Sequence, residues 1–496
     1  MISKELIAYC NPLSVFGETP DSIGKLCHDS RLIEKGDVFI AIRGFQTDGH
    51  NYIDKAIEKG ASVIITEDES IIKKGVFQIV VGDTRSLLSP LAQAFAGNPA
   101  EKLSIIGITG TNGKTTVATL VWQILQKLDK KAALLGTNAK IINNETFESK
   151  LTTADPVELA SDMKQMVEAG CKYLVMEVSS HALHQKRVKG IEFEVAGFTN
   201  LTHDHLDYHK SMAEYAAAKK ILFDSLSISS WAVVNADDDY AEFMTKSSPA
   251  KVLDFSFNKK GLISATIESA TAKQTTINVE GVTFTTPLIG EFNARNIVQA
   301  LMICTALGFD GKAVANVLKS CKGAQGRMEK VYSATGTSDK PLVIVDYAHT
   351  PDALKNVAST LSQLKQPGQR LVIVFGCGGD RDKTKRPEMA KIAEEFADSV
   401  YVTSDNPRTE DPAKIIKDIE AGFSSDFSYK SIVSRKKAIH SAISESDESD
   451  IILIAGKGHE TYQEIDGIRS HFDDREEARL ALKKNNNGHK STREVI

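Results

Sequence analysis

The residues with the clearest chemical meaning form a turn between an apolar strand pattern and a helical pattern. Residues 107–116 read G-I-T-G-T-N-G-K-T-T. Glycines let backbone N–H groups converge on phosphate oxygens, the helix that follows adds partial positive charge, and Lys114 can neutralise the β- and γ-phosphates. The turn is shorter than the usual G-x-x-x-x-G-K-[ST] loop, because Gly110 is the nearest glycine before Gly113. The predicted nucleotide-binding residues are Gly110, Thr111, Asn112, Gly113, Lys114, Thr115 and Thr116.

A carboxylate and a histidine-rich segment follow this turn. Glu177 ends an apolar strand pattern, and in a parallel sheet such a strand end lies beside the phosphate turn. A carboxylate there suits Mg²⁺, as does the hydroxyl of Thr115. Further on, His203, His205 and His209 could suggest zinc. No cysteine or second ligand pair is nearby, and a phosphate turn already requires Mg²⁺, so we favour magnesium.

A second group of polar residues lies in the last third of the chain, where four apolar strand patterns end. These positions are Asp346 and the segments 376–382, 404–412 and 456–460. In an open α/β sheet, ligands bind at the carboxyl ends of the strands. Arg381 and Arg408 are suited to carboxylates, whereas Asp405 and Glu460 can accept from an ammonium group. This set favours an amino-acid ligand.

The composition is that of an ordinary globular chain. Its 496 residues are 42% hydrophobic and 25% charged, and their number is enough for about three domains. The formal net charge of −5 argues against a nucleic-acid partner. No apolar run approaches the ~20 residues of a membrane span, so no membrane insertion is expected. The six cysteines form no C-x-x-C pair and no signal peptide is apparent, so we expect free thiols and a cytoplasmic location.

The strand and helix patterns divide the chain into three α/β blocks and a tail. Residues 1–98 form a small α/β unit that ends at the breaker cluster Gly97-Asn98-Pro99. Residues 99–325 alternate strand and helix patterns around the phosphate turn, and residues 326–482 do so again. This alternation predicts an α/β fold with a central P-loop parallel-sheet domain and a C-terminal Rossmann-like domain. The polar residues 483–496 are expected to be disordered.

Several motifs together resemble the Mur ligase family, ATP-dependent amide-bond-forming enzymes of peptidoglycan precursor synthesis. The motifs are G-T-N-G-K-T-T at 110–116, D-H-L-D-x-H at 204–209, Y-x-x-A-K-x-x-L-F at 215–223, G-x-F-N-x-x-N at 290–296 and D-N-P-R at 405–408. The resemblance extends over residues 20–475. It implies the three-domain architecture of that family and an ATP-dependent acid–amino-acid ligase with Mg²⁺.

The resemblance also implies roles for residues of the central block. Lys114, Glu177, His205 and Lys219 would be catalytic. The metal would be bound by Thr115, Glu177 and His205, together with Lys219 if this lysine is carbamylated, which turns a cation into a carboxylate-like ligand. Further nucleotide contacts are implied for Asn293, Asn296, Arg327 and Asp346.

In the last block, the resemblance implies an amino-acid site that is specific for meso-2,6-diaminopimelate. The implied ligands are Arg381, Asp405, Asn406, Pro407, Arg408, Gly456 and Glu460. Relatives that add lysine typically lack the arginine at position 408. The far end of lysine is a bare ammonium group, which Arg408 would repel, whereas diaminopimelate also carries a carboxylate there.

The implied acceptor is UDP-N-acetylmuramoyl-L-alanyl-D-glutamate. Its implied contacts are Ser30, Thr47, Asp48, Gly49, Thr152, Thr153, Ser179, Gln185 and Arg187. Ala154 stands where the family has the proline of its T-T-P loop, a departure from the pattern. The expected reaction is activation of the D-glutamate carboxylate as an acyl phosphate, followed by attack of the amino-acid amine, in a monomeric enzyme.

Two other functions are compatible with the sequence. One is another ligase of the same superfamily, which adds lysine or extends folate with glutamate. The other is a nucleotide-binding regulatory protein without ligase activity. An amino-acid-dependent release of ADP would separate these functions.

Overall fold

The structure is a computed structural model, which describes residues 3–45, 47–71, 73–143, 145–258, 261–332 and 341–488. The chain forms two compact units. The first comprises Met1–Ala265 and Asn296–Val317, and the second comprises Thr266–Arg295 and Leu318–Ile496.

The first unit begins with a five-stranded sheet in the order β1-β5-β4-β3-β2. Its strands are β1 (Ser14–Phe16), β2 (Leu26–Cys27), β3 (Val38–Ile40), β4 (Val63–Thr66) and β5 (Phe77–Val80). Its α-helices are α1 (Ser3–Cys10), α2 (Ile53–Glu58) and α3 (Thr84–Ala96). Only β1 pairs antiparallel, and β3, β4 and β5 are buried along their whole length, as in a parallel sheet that is covered on both faces. The α/β character predicted for this block is confirmed.

A larger sheet follows in the same unit. Within this unit its strands are β6 (Ser104–Thr109), β7 (Ala132–Leu135), β8 (Lys140–Ile142), β9 (Glu145–Phe147), β10 (Tyr173–Glu177), β11 (Val195–Phe198), β12 (Trp231–Asn235), β13 (Lys251–Ser256) and residues 263–265 of β14 (Ile263–Ala270). The helices of this unit are α4 (Lys114–Lys127), α5 (Pro156–Glu168), α6 (Ser180–His184), α7 (Leu206–His209), α8 (Met212–Asp224), α9 (Ala241–Thr245), residues 296–306 of α10 (Glu291–Ala306) and residues 311–317 of α11 (Gly311–Leu318).

The middle of this sheet brings four strand ends together. Strand β6 lies between β10 and β11, with Glu177 opposite Ile108 and Phe198 opposite Thr109, and β7 is the next strand beyond β10. All four are parallel, so their carboxyl ends meet at one edge. The short strands β8 and β9 pair antiparallel at the margin. This edge is where the predicted phosphate turn and Glu177 lie.

The second unit contains a six-stranded sheet in the order β17-β18-β22-β19-β20-β21 and two hairpins. Its strands are β15 (Thr275–Val279), β16 (Val282–Thr286), β17 (Glu329–Val331), β18 (Leu342–Asp346), β19 (Leu371–Phe375), β20 (Ser399–Thr403), β21 (Tyr429–Ile432), β22 (Ile451–Ala455), β23 (Tyr462–Ile465) and β24 (Ile468–His471). Its helices are α12 (Pro351–Gln363), α13 (Lys385–Phe396), α14 (Pro412–Glu420), α15 (Arg435–Ser444) and α16 (Asp474–Gly488).

The six-stranded sheet is covered on both faces. Alternate residues of its central strands enter two separate cores: Ile373 and Leu453 belong to one, and Val374 and Ile454 belong to the other. All strands except β17 run parallel, so the ends of β18, β22, β19 and β20 also meet at one edge. The doubly wound pattern expected for this block is confirmed.

The expectation for the tail is wrong for residues 483–488. Helix α16 starts at Asp474 with three acidic residues in its first turn, buries Ala478, Ala481 and Leu482, and ends at Gly488. Lysine has good helix propensity and asparagine is tolerated, so a helix that is already anchored can extend into a polar segment. Residues 489–496 lie outside the described residues, and the domain boundaries at 98, 325 and 482 stay predictions.

Two expectations about the whole chain concern thiols and membranes. All six cysteines are buried and free of disulfides, as predicted. Within the described part of the chain, no helix has the length and apolar character needed to cross a membrane.

Candidate functional site

The phosphate turn joins β6 to α4 and depends on two glycines. Gly110 and Gly113 have φ values of 146° and 86°, which side-chain-bearing residues rarely adopt. A Cβ at Gly110 would lie 1.9 Å from Thr199 Oγ1, and one at Gly113 would lie 2.4 Å from Asn296 Oδ1. The backbone of the turn therefore lies directly against these two polar side chains, and neither glycine can be replaced without movement.

Polar groups that follow β11 fix the remainder of the turn. The amide of Asn200 accepts from Asn112 N at 3.0 Å, and Thr199 Oγ1 donates to Asn112 O at 2.6 Å. Lys114 begins α4, and its Nζ donates to the carbonyls of Gly110 at 3.0 Å and Thr111 at 2.8 Å. The structure thus gathers the predicted phosphate-binding segment into one turn at a helix N-terminus, the geometry that anions prefer.

Glu177 is buried beside this turn and holds three polar partners. Glu177 is only 1% exposed. It accepts from Thr115 Oγ1 at 3.0 Å, from the backbone of Thr137 at 2.8 Å and from Thr137 Oγ1 at 3.1 Å. A Cβ at Gly136 would lie 2.4 Å from the Glu177 carboxylate. Thr115 and Glu177, predicted separately, therefore share a cluster of hard oxygen atoms of the kind that Mg²⁺ prefers.

Gly136 and Thr137 are functional-site residues that the sequence did not predict. They follow β7, the strand on the other side of β10, so the rule that places ligands at strand ends would have included them. The chain then continues through the short antiparallel strands β8 and β9. These strands were not predicted, because they have no continuous apolar run.

Lys219 lies on α8 and reaches the same turn. It is 1% exposed, and its Nζ donates to Gly110 O at 2.7 Å and lies 4.5 Å from the ring centroid of Tyr215. Burial, with the nearby charge of Lys114, lowers the pKa of Lys219 well below its ordinary value. This amine therefore tends towards its uncharged, nucleophilic form.

His205, the other predicted metal ligand, lies at an exposed position beside aromatic rings. It precedes α7 with φ of 53°, is exposed, and its ring lies 5.0 Å from that of His181 and 6.0 Å from that of Tyr215. His209, which is buried, contacts Ser180 Oγ through Nε2 at 2.9 Å, and burial lowers its pKa to about 4. Among the described residues, no group of three His, Cys, Asp or Glu side chains is arranged to hold a metal ion.

The remaining predicted nucleotide contacts are separated between the units. Asn296 lies beside Gly113 in the first unit. In the second unit, Asn293 donates to Ile289 O at 2.9 Å, and Arg327 lies over the ring of Tyr347 at 4.8 Å.

Asp346, the last of these predicted contacts, is buried at the end of β18. It accepts from Met328 N at 2.7 Å and from Ala348 N at 2.8 Å. Burial raises its pKa. Its carboxylate therefore fixes the backbone around Arg327 in the second unit.

Five predicted acceptor-binding residues form one hydrogen-bonded network. The network contains Thr152, Thr153, Ser179, Gln185 and Arg187. Thr153 Oγ1 donates to the carbonyl of Glu177 at 2.9 Å and accepts from Ser179 N at 3.0 Å. Arg187 donates to Thr153 O at 2.8 Å and to Gln185 Oε1 at 2.7 Å. Thr152 Oγ1 lies 3.0 Å from Thr137 Oγ1, so this hydrogen bond connects the network to the Glu177 cluster.

The loop at 47–49 is held by its own polar contacts. Asp48 Oδ1 accepts from His50 N at 2.9 Å and caps a short 3-10 helix. Thr47 Oγ1 contacts Tyr52 Oη at 3.0 Å. A Cβ at Gly49 would lie 2.7 Å from the backbone of Ile42, so this position requires glycine.

Two aromatic contacts of Phe45 connect this loop region with the acceptor network. The ring of Phe45 lies 5.8 Å from that of His184 and 5.4 Å from that of Tyr208. Gln185 in turn donates to Tyr208 Oη at 3.2 Å. Ser30 is buried in a separate 3-10 helix capped by Asp29, and its described contacts do not join it to the network.

The second unit carries a compact charged cluster at its own strand edge. Asn406 donates through Nδ2 to Glu460 Oε2 at 2.9 Å. Its Oδ1 accepts from Lys457 Nζ at 3.0 Å and from Glu464 N at 3.0 Å. Lys457 Nζ also donates to Glu460 Oε2 at 2.9 Å. Two of the predicted amino-acid ligands are thus joined by a lysine to which sequence reasoning gave no role.

Asp405 and Gly456 meet at the centre of this edge. Gly456 has φ of 120°, and a Cβ there would lie 2.6 Å from Asp405 Oδ2. That oxygen is buried without a hydrogen-bond partner in the described part of the chain, and it lies 3.9 Å from the guanidinium of Arg435. Arg435 is itself paired with Asp474 at 2.7 Å. An ammonium group would satisfy Asp405 Oδ2.

Arg408 is held in an unusual backbone conformation. Its φ is 52°, its N–H donates to Glu464 O at 3.1 Å, and its carbonyl accepts from Asp466 N at 2.7 Å. Its guanidinium donates to Gly379 O at 2.8 Å. The hairpin of β23 and β24 therefore clamps this arginine from both sides of its backbone, which could not be seen from the sequence.

The other two predicted ligands lie around the same arginine. A Cβ at Gly378 would lie 2.9 Å from Arg408 Nη1 and 3.9 Å from Arg381 Cγ, so the two arginines flank one glycine. Arg381 is exposed. The carbonyl of Pro407 lies 1.9 Å from the position of a Cβ at Gly379, which brings the two loops into close contact.

Comparison with known proteins gives three successive family matches. The model of the Mur ligase family, catalytic domain, matches residues 22–96. The Mur ligase middle domain matches residues 108–304, and the Mur ligase, glutamate ligase domain, matches residues 326–458.

Two curated relatives that match over nearly their whole length carry the same name. The UDP-N-acetylmuramoyl-L-alanyl-D-glutamate–2,6-diaminopimelate ligase of Cytophaga hutchinsonii is 42% identical over 95% of this chain and 97% of its own. That of Bacillus licheniformis is 42% identical over 97% of this chain and 99% of its own. A solved structure of an enzyme with this name is 33% identical, covers 98% of this chain and 99% of its own, and has a TM-score of 0.72.

Proposed function

Because the chain belongs to the Mur ligase family of ATP-dependent amino-acid ligases, we propose that it adds meso-2,6-diaminopimelate to UDP-N-acetylmuramoyl-L-alanyl-D-glutamate. The acceptor and the amino acid are those in the names of the relatives that match over nearly its full length. The product is a precursor of peptidoglycan. We place the reaction in the cytoplasm and expect a monomer.

The observation that carries this choice of amino acid is the position of Arg408. Its guanidinium lies at the strand edge that also carries Asp405, whose Oδ2 is buried without a hydrogen-bond partner among the described residues. In the proposal, Arg408 and Arg381 pair with the distal carboxylate of diaminopimelate, and Asp405 and Glu460 accept from its distal ammonium group. A planar guanidinium gives a carboxylate two parallel hydrogen bonds. The distal end of lysine has no carboxylate, so lysine cannot make them there.

For the nucleotide, the proposal uses the phosphate turn and Lys114. Lys114 Nζ now contacts two carbonyls of the turn and would exchange them for phosphate oxygens, while the amide groups at the start of α4 bind the same phosphates. Asn296 lies against Gly113, so it is suited to a contact with the nucleotide.

The residues around Glu177 fit Mg²⁺. A buried carboxylate with a threonine hydroxyl at 3.0 Å supplies the hard oxygen atoms that this ion selects. We propose Thr115 and Glu177 as its protein ligands, with His205 and a modified Lys219 serving a second ion. When bound, magnesium neutralises charge on the phosphoryl group during its transfer.

We also propose that Lys219 is carbamylated. Its burial and its lowered pKa favour an uncharged amine, which is the form that attacks carbon dioxide. In that step the amine nitrogen forms a bond to the carbon of carbon dioxide, loses a proton and yields an anionic carbamate. The carbamate would face the phosphate turn that Lys219 already contacts through Gly110.

The proposed reaction has two steps. The γ-carboxylate of the D-glutamate attacks the γ-phosphorus of ATP, and ADP leaves. The free amine of diaminopimelate then attacks the acyl phosphate, phosphate leaves, and the nitrogen loses a proton to give the amide. The chain's own residues position both partners and neutralise charge, so no enzyme nucleophile is required.

The test is a panel of amino acids with the purified chain. With ATP, magnesium and the UDP-dipeptide, ADP release should depend on 2,6-diaminopimelate, and the product mass should rise by that residue. Lysine and glutamate should release little ADP. ATP turnover that is indifferent to every amino acid, or a product that contains lysine, would contradict the proposal.

A further inference from the structure

The amino-acid pocket contains a buried lysine that the proposed reaction leaves unused. Lys457 is 0% exposed, and its Nζ donates to Asn406 Oδ1 at 3.0 Å and to Glu460 Oε2 at 2.9 Å. It also lies 5.3 Å from the ring centroid of Tyr462. Burial of an ammonium group is costly unless it is paired in this way. Lys457 and Glu460 therefore form one unit inside the pocket.

The contacts of Lys457 determine how Asn406 is oriented. Asn406 Oδ1 faces two groups that can only donate, Lys457 Nζ and the backbone N–H of Glu464, which lies 3.0 Å away. The amide nitrogen must then be the atom that donates to Glu460. A flipped amide would bring its NH₂ group against two other donors. Lys457 thus stabilises one of two amide orientations and the carboxylate that this amide contacts.

Lys457 also changes the charge of the pocket. Four charged side chains, Arg381, Arg408, Asp405 and Glu460, are proposed to face the distal end of the ligand, and Lys457 adds a fifth charge to this set. Three are positive and two are negative, and the adjacent Arg435 is neutralised by Asp474 at 2.7 Å. A ligand end that carries both an ammonium and a carboxylate is neutral, whereas the end of lysine is a cation. The excess of one positive charge disfavours the cation.

We propose that Lys457 is a positioning residue that makes this pocket selective: it orients the Asn406 amide, neutralises Glu460 and raises the cost of binding a bare ammonium end. The inference rests on the proposed function, since it concerns recognition of the same amino acid. Lys457 needs no contact with the ligand, because it acts through Asn406 and Glu460.

Two variants separate orientation from charge. Lys457→Met keeps the length of the side chain and removes both the donor and the charge, and we expect KM for diaminopimelate to rise about 30-fold. Lys457→Gln keeps donors near Asn406 and Glu460, so KM should rise only about fivefold. Both should lower the ratio of kcat/KM for diaminopimelate over lysine about tenfold, because both lose the positive charge. KM for ATP should stay within about twofold.

The control is Lys436→Met, which removes a lysine that pairs with Glu477 on the outside of the same unit. It should change neither KM nor the amino-acid ratio. Thermal unfolding of each variant reports whether it is folded.

The outcomes are distinct. A wild-type enzyme that does not use diaminopimelate would overturn the proposed function and this inference with it. An active wild type with an unchanged KM and ratio in Lys457→Met would overturn the inference alone. So would equal losses for ATP and diaminopimelate, or the failure of both variants to fold, because Lys457 would then serve stability.

Discussion

The phosphate turn of the first unit and the amino-acid pocket of the second are both strand-edge sites, but they are built differently. The contacts proposed for residues 110–116 come from the backbone of one continuous segment that glycines allow to curl, together with the Lys114 side chain. The pocket instead joins 405–408, 456–460 and the hairpin of β23 and β24 through side chains and cross-segment hydrogen bonds. A backbone site is thus encoded locally, whereas a side-chain site depends on residues distant in sequence.

The largest effect should come from the backbone site. Lys114→Met removes the cation that we expect to neutralise the phosphates, so kcat/KM for ATP in the ligation should fall about 10³-fold with diaminopimelate, and by the same factor with any amino acid that is used more slowly. The assay is ADP release at saturating diaminopimelate. Lys130→Met, an exposed lysine beyond α4, is the control and should be silent. A loss of activity with only one of the amino acids would contradict the assignment of Lys114 to the nucleotide site.

Loss of the buried amine near the turn should have a somewhat smaller effect. Lys219→Met removes the group that we propose to be carbamylated, and kcat should fall about 10²-fold with little change in KM for diaminopimelate. In the wild type, ¹³C-labelled carbon dioxide should give a carbamate resonance in the NMR spectrum that the variant lacks. An active variant, or a wild type without this resonance, would overturn the proposed carbamylation and leave Lys219 with only its contacts to Gly110 and Tyr215.

A single methyl group should disturb the pocket and leave the phosphate turn unaffected. In Gly456→Ala the new Cβ would approach Asp405 Oδ2 to 2.6 Å. KM for diaminopimelate should therefore rise about tenfold while KM for ATP stays constant. Gly368→Ala is a matched control, because Gly368 also has a positive φ, 87°, but no atom lies within 4 Å of the added carbon. Equal kinetic effects of the two substitutions would refute the steric explanation.

The smallest effect concerns stability at acid pH. Burial lowers the pKa of His459 to about 4, so the folded state binds its proton less readily than the unfolded state. Its contribution is complete above the ordinary value of 6.5 and decreases as the pH falls towards 4. Between about pH 7 and about pH 5.5 this loss is about 1 kcal/mol.

His459→Gln should make the thermal midpoint less sensitive to acid over this range. His471→Gln is the control, because contact with Glu476 raises the pKa of His471, so its contribution is lost at high rather than at low pH. An unchanged acid sensitivity in His459→Gln would show that other groups govern it.

Much of the fold could be predicted because buried parallel strands have continuous apolar sequences. The apolar sequences at 132–135, 195–198, 371–375, 399–403 and 451–455 predict strands, and these are observed as β7, β11, β19, β20 and β22 with the same boundaries. The edge strands β8 and β9 and the hairpin of β23 and β24 were missed, since these short segments contain no continuous apolar run. Charge alone also could not show that α16 continues to Gly488.

The site residues also divide into those that the sequence could predict and those that it could not. The phosphate turn and Glu177 were placed correctly at one edge because strand order alone brings them together. Lys457 and Thr137 could not be assigned, since each has meaning only through a partner from another segment, Asn406 in one case and Glu177 in the other. The conformation of Arg408 depends on hydrogen bonds to the hairpin, which no local pattern predicts.

The most direct test of the central claim is the ratio of kcat/KM for diaminopimelate over lysine, measured in the wild type and in Arg408→Ala. If this guanidinium recognises the distal carboxylate, the ratio should be large in the wild type and fall about 10³-fold in the variant, while affinity for ATP is retained. A ratio near one in the wild type, or one that the substitution leaves unchanged, would contradict the account.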